Sequence, residues 1–314
     1  MFRKKKPILI SYSAISNGKV TLLRGQISWS SLTELSFEDY GWRTTFLKLL
    51  ALYRTSSLSN EVVELYFDKE KITASTDDSG FFTIEVAYQK TQTNLSQINL
   101  KNGERVSIMN NLYSLDIRLI EQKTIVITDI DDTILHSNIR NPFLKFRTLM
   151  FTRVEKRRAV EDMKAIITAF TNAGATVFYL SNSEQNLYPL IRRFLTFNKF
   201  PSGPLFLKQM RNLSTLILNH PFIEKELHKL TNLEKIFRLF PDCKFILLGD
   251  NTQHDLPIYL KTARKFPRNI QYIIIRKVYN KIGDQRMIEE HKSLLEANSI
   301  KVFYEEKYPK TFEL

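Results

Sequence analysis

Lys-Thr-Ile-Val-Ile-Thr-Asp-Ile-Asp-Asp-Thr-Ile, residues 123 to 134, decides how the chain is read. Thr124 to Thr128 is a short β-branched run, the composition of a strand buried on both faces of a parallel sheet. It ends in three carboxylates, Asp129, Asp131 and Asp132. In extended backbone, positions i and i+2 point the same way, so Asp129 and Asp131 project together while Ile130 turns to the core. Two aligned carboxylates can hold a hard cation, or divide the duties of nucleophile and acid/base. Taken alone, the same acids also suit a helix cap and a solvated turn.

Downstream, the pattern alternates between strand and helix, which predicts a parallel sheet covered on both faces. Strands are expected at Thr176–Leu180, Leu205–Leu207, Lys244–Leu248, Asn269–Ile275 and Lys301–Tyr304. Helices are expected over Val160–Phe170, from Gln185 to about Phe197, over Glu226–Phe240 and near Gln285–Ala297. Successive strand ends then present Asp129 with Asp131, Ser181 with Asn182, a lysine after Leu207 or on the next helix, and Asp250 with Asp255. In open α/β sheets, ligands sit outside the carboxyl ends of the strands, so these groups can converge. Carboxylates for Mg²⁺, a hydroxyl for a phosphoryl oxygen and a lysine for developing charge are the parts of metal-assisted phosphoryl transfer.

Residues 1 to 120 read differently, as a small β-rich, sandwich-like domain. Strands are expected at Gly18–Ser28, Val62–Phe67, Ile72–Thr76, Phe81–Tyr88, Gln97–Leu100 and Ser114–Ile120, with one helix over Trp42–Arg54. Asp77-Asp78-Ser79-Gly80 is the turn expected between the strands on either side of it. The pattern changes near residue 120, giving domains of 1–120 and 121–314.

Composition sets outer limits. With 43% apolar and 25% charged residues the chain reads as a globular protein, and the lone Cys243 excludes an intramolecular disulfide framework. Met1 to Ile15 resembles a signal peptide only faintly, because Ser11, Tyr12 and Ser13 interrupt its apolar part. A cytoplasmic protein with peripheral membrane association is therefore expected. The net charge of +13 calls for an acidic partner: a phosphorylated small molecule, an anionic membrane surface or nucleic acid. Basic residues concentrate at 140–164 and at 261–281, and the second run holds Lys261, Arg264, Lys265, Arg268, Arg276, Lys277 and Lys281 with no acid. His136, His228 and His254 match no zinc spacing.

Several stretches resemble a known family. Asp129-Ile-Asp-Asp-Thr133, Ser181 and Gly249-Asp-x-x-x-x-Asp255 are similar to the haloacid dehalogenase superfamily. Tyr179 to Pro189, Gly203 to Lys208, Gly249 to Tyr259 and Tyr272 to Arg276 resemble more narrowly the actin-patch-associated phosphatidate phosphatases, whose catalytic half is related to lipins. Thr76-Asp-Asp-Ser-Gly-Phe-Phe82 resembles that family's turn in the first domain. The resemblance implies a Rossmann-like sheet of haloacid dehalogenase type, here without a large cap, and a Mg²⁺-dependent phosphatase. Asp129 would be the nucleophile, Asp131 the acid/base, and Lys229 the charge-neutralising lysine opening its helix, with Lys208 and Lys235 as competitors. Thr133, Ser181, Asn182 and Arg276 would serve substrate binding, although Arg276 equally suits a surface ion pair. Asp129, Asp131, Asp250 and Asp255 would hold Mg²⁺. The substrate implied is a phosphorylated lipid such as phosphatidate, met at an anionic membrane where the Arg140–Arg158 loop docks. The alternatives are a phosphatase of nucleic-acid ends or another large phosphoester, and a non-catalytic anionic-lipid-binding module. The chain departs from the family where Asn251-Thr252 replaces Ser-Gly and Leu256-Pro257 replaces Pro-Glu.

Overall fold

The computed structural model describes residues 5–30, 56–68, 70–90, 93–109, 113–135, 159–208 and 222–308. The expected Trp42–Arg54 helix, His136 and the basic Arg140–Arg158 loop lie outside these residues. The chain divides into two compact units. One falls within Met1–Glu121, Glu184–Arg193 and Leu207–Asn219, the other within Gln122–Ser183, Phe194–Phe206 and His220–Leu314.

The first unit is β-rich. Its strands are β1 (Lys6–Ser16), β2 (Val20–Ser30), β3 (Ser56–Ser57), β4 (Val62–Phe67), β5 (Glu70–Ser75), β6 (Phe81–Ala87), β7 (Leu95–Leu100) and β8 (Arg118–Leu119). A five-stranded sheet runs β3-β2-β1-β8 with β6 also paired to β2, and a three-stranded sheet runs β5-β4-β7. One strand not expected from the sequence, β1, holds Pro7–Ile15 and pairs antiparallel along β2, and one expectation changes. The Asp77–Gly80 turn does not close a hairpin, because β5 pairs with β4 while β6 pairs with β2. Its local chemistry is as expected: Asp77 Oδ1 accepts from Ser79 N–H, Ser79 O–H and Phe81 N–H, and Gly80 has φ +74°. The turn carries the chain from one sheet into the other.

The second unit centres on a six-stranded sheet ordered β11-β10-β9-β12-β13-β14. The strands are β9 (Thr124–Thr128), β10 (Thr176–Glu184), β11 (Leu205–Lys208), β12 (Lys244–Asp250), β13 (Ile270–Arg276) and β14 (Lys301–Glu305). The pairs β10–β9, β9–β12, β12–β13 and β13–β14 are all parallel. Among the described residues six α-helices follow β9 in the chain: α1 (Glu161–Asn172), α2 (Tyr188–Phe197), whose first turns fall in the first unit, α3 (Phe222–Leu239), α4 (Asp255–Lys265), α5 (Asp284–Glu290) and α6 (Lys292–Ala297). The single helix expected near 285–297 is interrupted at His291. Among the described residues no helix is long and apolar enough to cross a membrane.

Strand β9 lies inside this sheet because nothing in its middle needs water. Ile125, Val126 and Ile127 are fully buried, each stabilising the fold by about 2 kcal/mol through apolar burial. From β9 the chain moves outward through β10 to β11, then returns to place β12 on the other flank of β9. Strand order reverses between β9 and β12, which is where doubly wound sheets open a crevice at their carboxyl ends.

Candidate active site

That crevice is where the acids meet. The backbone N–H of Asp129 still follows the sheet, donating to the Leu248 carbonyl at 2.9 Å. The chain then coils sharply: Ile134 and Leu135 N–H both donate to the Ile130 carbonyl, and Asp132 takes a left-handed φ of +60°. The coil returns Thr133 toward the strand end, where its hydroxyl lies 3.0 Å from Asp250 Oδ2 and 3.4 Å from Asp129 Oδ2.

Asp250 closes β12, and its loop is built around the carboxylate. The Thr252 and Gln253 N–H groups donate to Oδ1, and Asp250 N–H itself donates to Asp255 Oδ2 at 3.2 Å. Asp255 is the first residue of α4, where a negative charge also meets the positive end of the helix dipole. Gly249 permits this approach. A Cβ there would sit 2.5 Å from the Asp255 Cβ.

Lys229 completes the cluster. Its Nζ is 2.8 Å from Asp129 Oδ1 and pairs also with Asp255 Oδ1, and the side chain is 1% exposed. Because α3 begins at Phe222, Lys229 sits in the body of the helix and does not open it as expected. The apolar spacing visible in the sequence starts at Glu226, several residues inside the true start.

Burial and like charge dominate the electrostatics. Burial pushes the Asp129 carboxyl well above its ordinary value against the pull of Lys229, with Asp255, Asp250 and Asp131 adding repulsion. Burial, then the charge of Asp255, pushes Asp250 up to about 6. For Lys229 burial acts to lower the value, but Asp129 and Asp255 together outweigh it and hold the ammonium charged. Asp129, Asp250 and Asp255 each offer an oxygen within 4.8 Å of the others. Three buried carboxylates facing one ammonium leave surplus negative charge, and an all-oxygen donor set of this kind suits a hard divalent cation such as Mg²⁺.

Asp131 stands apart from that triad. Its Oδ2 accepts from two hydroxyls on β10, Ser181 at 3.1 Å and Ser183 at 2.9 Å. Sequence reasoning ended the strand at Leu180 and missed Ser183. The Ser-x-Ser alternation was the available signal, since residues two apart on an extended strand share a face. Asn182 points elsewhere, with Nδ2 3.4 Å from Gln253 Oε1. Arg276 Nη1 donates to the backbone carbonyl of Asp132. Lys208 is buried at the end of β11, and the lysine that reaches Asp129 is Lys229.

The family departure at Asn251 has a structural counterpart. Its Nδ2 donates to the Tyr279 carbonyl at 2.6 Å and to Tyr304 Oη at 2.7 Å, while its Oδ1 accepts from Val278 N–H at 2.8 Å. A side chain with donors and acceptor on opposite branches ties the Asp250 loop to the segment after β13, which a serine could not do in full.

Comparison with known proteins shows what the region holding the site is similar to. Residues 124–277, just under half of the chain, match the family model described as phosphatidate phosphatase APP1, catalytic domain. The phosphatidate phosphatase APP1 of Saccharomyces cerevisiae is 32% identical over 186 residues, covering 56% of this chain and 29% of the yeast protein. An uncharacterised protein of Schizosaccharomyces pombe is 25% identical over 237 residues, covering 73% of this chain and 38% of its own length. The chain thus spans well under half the length of both relatives. Among solved structures, a carbohydrate acetylesterase from Xanthomonas citri overlays with a TM-score of 0.28 at 7% identity, covering 96% of this chain and 68% of its own, too slight a likeness to carry a fold argument. Residues 124–277, which hold the Asp129, Lys229, Asp250 and Asp255 cluster, are thus similar to the phosphatidate phosphatase APP1 catalytic-domain family.

Proposed function

We propose that this protein is a Mg²⁺-dependent phosphatase that hydrolyses a phosphomonoester, phosphatidate or a closely related phospholipid, through an aspartyl-phosphate of Asp129. The observation that carries the reading is the buried pairing of Lys229 with both Asp129 and Asp255 beside Asp250, in a region similar to the phosphatidate phosphatase APP1 catalytic domain. In this reading residues 121–314 form a phosphatase domain of haloacid dehalogenase type that follows, in sequence, a β-rich domain of residues 1–120.

Asp129, Asp250 and Asp255 would hold Mg²⁺, which when bound offsets negative charge between the phosphate and the carboxylates. The protein's own residues do the rest. A carboxylate oxygen of Asp129 attacks phosphorus in line, the bond from phosphorus to the lipid oxygen breaks, and protonated Asp131 delivers its proton to that leaving oxygen. Water then attacks the phosphoryl group, Asp131 takes the water's proton, the bond from Asp129 to phosphorus breaks, and inorganic phosphate departs. Lys229 pulls the nucleophile toward its ionised form against the effect of burial, and offsets charge on the phosphoryl oxygens. Ser181 and Ser183 position Asp131 and are placed to donate to phosphate once it enters. Thr133 fixes the Asp129 and Asp250 carboxylates relative to each other.

The test is phosphate release from phosphatidate, lysophosphatidate, nucleotides and 5′-phosphorylated oligonucleotides, with Mg²⁺ or with EDTA, for wild type and Asp129→Asn. Release from phosphatidate that requires Mg²⁺ and disappears in the variant is expected. Equal release by Asp129→Asn would remove the nucleophile assignment, and release confined to oligonucleotides would replace the substrate class.

A further inference from the structure

The basic run that ends at Lys281 leads into a loop that the reaction does not use. Residues 277–283, Lys-Val-Tyr-Asn-Lys-Ile-Gly, connect β13 to α5. Ile282 is fully exposed at 104% and Val278 is 37% exposed, so two of the five large exposed apolar side chains among the described residues lie in these seven positions. Scattered exposed apolar residues are ordinary; two on one short loop beside a candidate active site are not.

The loop's geometry presents Ile282 deliberately. Asp284 N–H reaches back to the Lys281 carbonyl, closing a four-residue turn in which Ile282 is the first corner and Gly283, with φ +114°, the second. A Cβ on Gly283 would meet nothing within 4 Å, an independent sign that the turn projects into open space. The base is tied down by hydrogen bonds. Val278 N–H and the Tyr279 carbonyl are held by Asn251, Tyr279 Oη donates to the Thr252 carbonyl, and Tyr304 Oη donates to Asp284 at 2.7 Å. The apolar corner is therefore bound to the residue that follows Asp250.

Charge identifies the occupant. The loop itself carries Lys277 and Lys281 and no acid; of the flanking charges, Arg276 is turned to the Asp132 carbonyl, Arg286 pairs with Glu290, and Asp284 is buried under its bond from Tyr304. Lys277 also faces Glu306 at 3.6 Å, an exposed acid whose hold on it is weak. An apolar tip directly after Lys281, on a loop that also carries Lys277, fits the interface of an anionic bilayer, where the side chain enters the acyl boundary and the ammonium groups meet lipid phosphates. We infer that the 277–283 loop is a membrane-docking finger that inserts Ile282 and sets the Asp250 loop against the lipid headgroups. The inference rests on the phosphatidate reading for the biological identity of the surface, and on the loop itself for the docking.

The test is sedimentation of the full chain with phosphatidylcholine vesicles, alone or with about 20 mol% phosphatidate or phosphatidylserine. Wild type is expected to sediment with both anionic vesicles and not with phosphatidylcholine alone. Ile282→Asp is expected to lower the partition coefficient about tenfold, Lys281→Glu several-fold, and Ile282→Trp to raise it. Hydrolysis of soluble p-nitrophenyl phosphate by Ile282→Asp is expected to match wild type. Unchanged sedimentation of Ile282→Asp overturns the inference, as does an Ile282-dependent dimer on gel filtration with vesicle binding unaltered. If Ile282→Asp loses soluble hydrolysis as well, Ile282→Trp decides: tighter vesicle binding upholds docking and unchanged binding overturns it. If wild type hydrolyses no phosphoester yet binds vesicles through Ile282, docking stands and the phosphatase reading falls.

Discussion

Arg276 spans the carboxyl end of the sheet to donate, at 2.7 Å, to the backbone carbonyl of Asp132, a residue 144 positions earlier. That carbonyl belongs to a left-handed residue immediately after Asp131, so the guanidinium braces the coil that carries the proposed acid/base. Arg276→Gln should lower kcat about 10- to 100-fold with little change in KM, the pattern of a misplaced catalytic group. Steady-state kinetics on phosphatidate in mixed micelles separate the two constants. A rise confined to KM would mean that Arg276 binds substrate instead.

Removing the ammonium of Lys229 leaves Asp129 and Asp255 buried without their cation. Lys229→Met should destabilise the metal-free protein by about 3–5 kcal/mol near neutral pH. Mg²⁺ should then raise the unfolding temperature more in the variant than in wild type, because the cation takes over a missing charge. Thermal unfolding with and without Mg²⁺ measures both effects, and a variant as stable as wild type would contradict the ion-pair account.

Acid sensitivity follows from Asp250. Its folded-state value of about 6 lies above the ordinary 3.8, so between roughly pH 4 and pH 6 the unfolded chain releases a proton that the folded chain retains. For this group, stability of the metal-free protein falls as pH rises through that window, and the whole cost is present above it. Cation binding needs the ionised form, so the Mg²⁺-induced rise in unfolding temperature should be about twofold larger at pH 7.5 than at pH 5.0. Equal rises at the two pH values would count against Asp250 as a ligand.

Gly249 offers a steric test that leaves every charge in place. Gly249→Ala puts a methyl group 2.5 Å from the Asp255 Cβ and 2.7 Å from its Oδ2. Asp255 must move off the Asp250 N–H, with an expected loss of about 1–3 kcal/mol from overpacking and a marked drop in Mg²⁺ affinity. Calorimetric titration with Mg²⁺ reads the affinity directly. Undiminished binding would show that Asp255 is not held to the triad by this contact.

How far the sequence could be read depended on whether local chemistry sufficed. Strand β9 was plain because its five residues are all β-branched, the composition of a buried parallel strand. Strand β1 was hidden by Ser11, Tyr12 and Ser13: it is covered on both faces, with Ser11 only 4% exposed, so no alternation marks it. The Asp77 turn was legible as a turn, since its hydrogen bonds are local, but not as a crossing between sheets, which is set by strands far from it. At the site, the identities of Asp129, Asp250, Asp255 and Lys229 could be read from strand ends, helix pattern and family resemblance. The partnership of Asp131 with Ser183 could not, because it depends on β10 running to Glu184.

Thr133 and Asp250 touch although 117 residues of chain separate them, and β9 and β12, which bring them together, are parallel neighbours that local contacts cannot zip. Such pairings form slowly, because the intervening loop must be closed before any contact rewards it. On a ribosome the triad cannot exist until Asp255 has emerged, so the segment from β9 to α3 would hold Asp129 and Lys229 before the acids that complete the cluster are made. The same remoteness makes phosphate release a sensitive report of completed folding: a chain that holds its local helices and hairpins but has not docked β12 on β9 would pass most spectroscopic checks and turn over nothing.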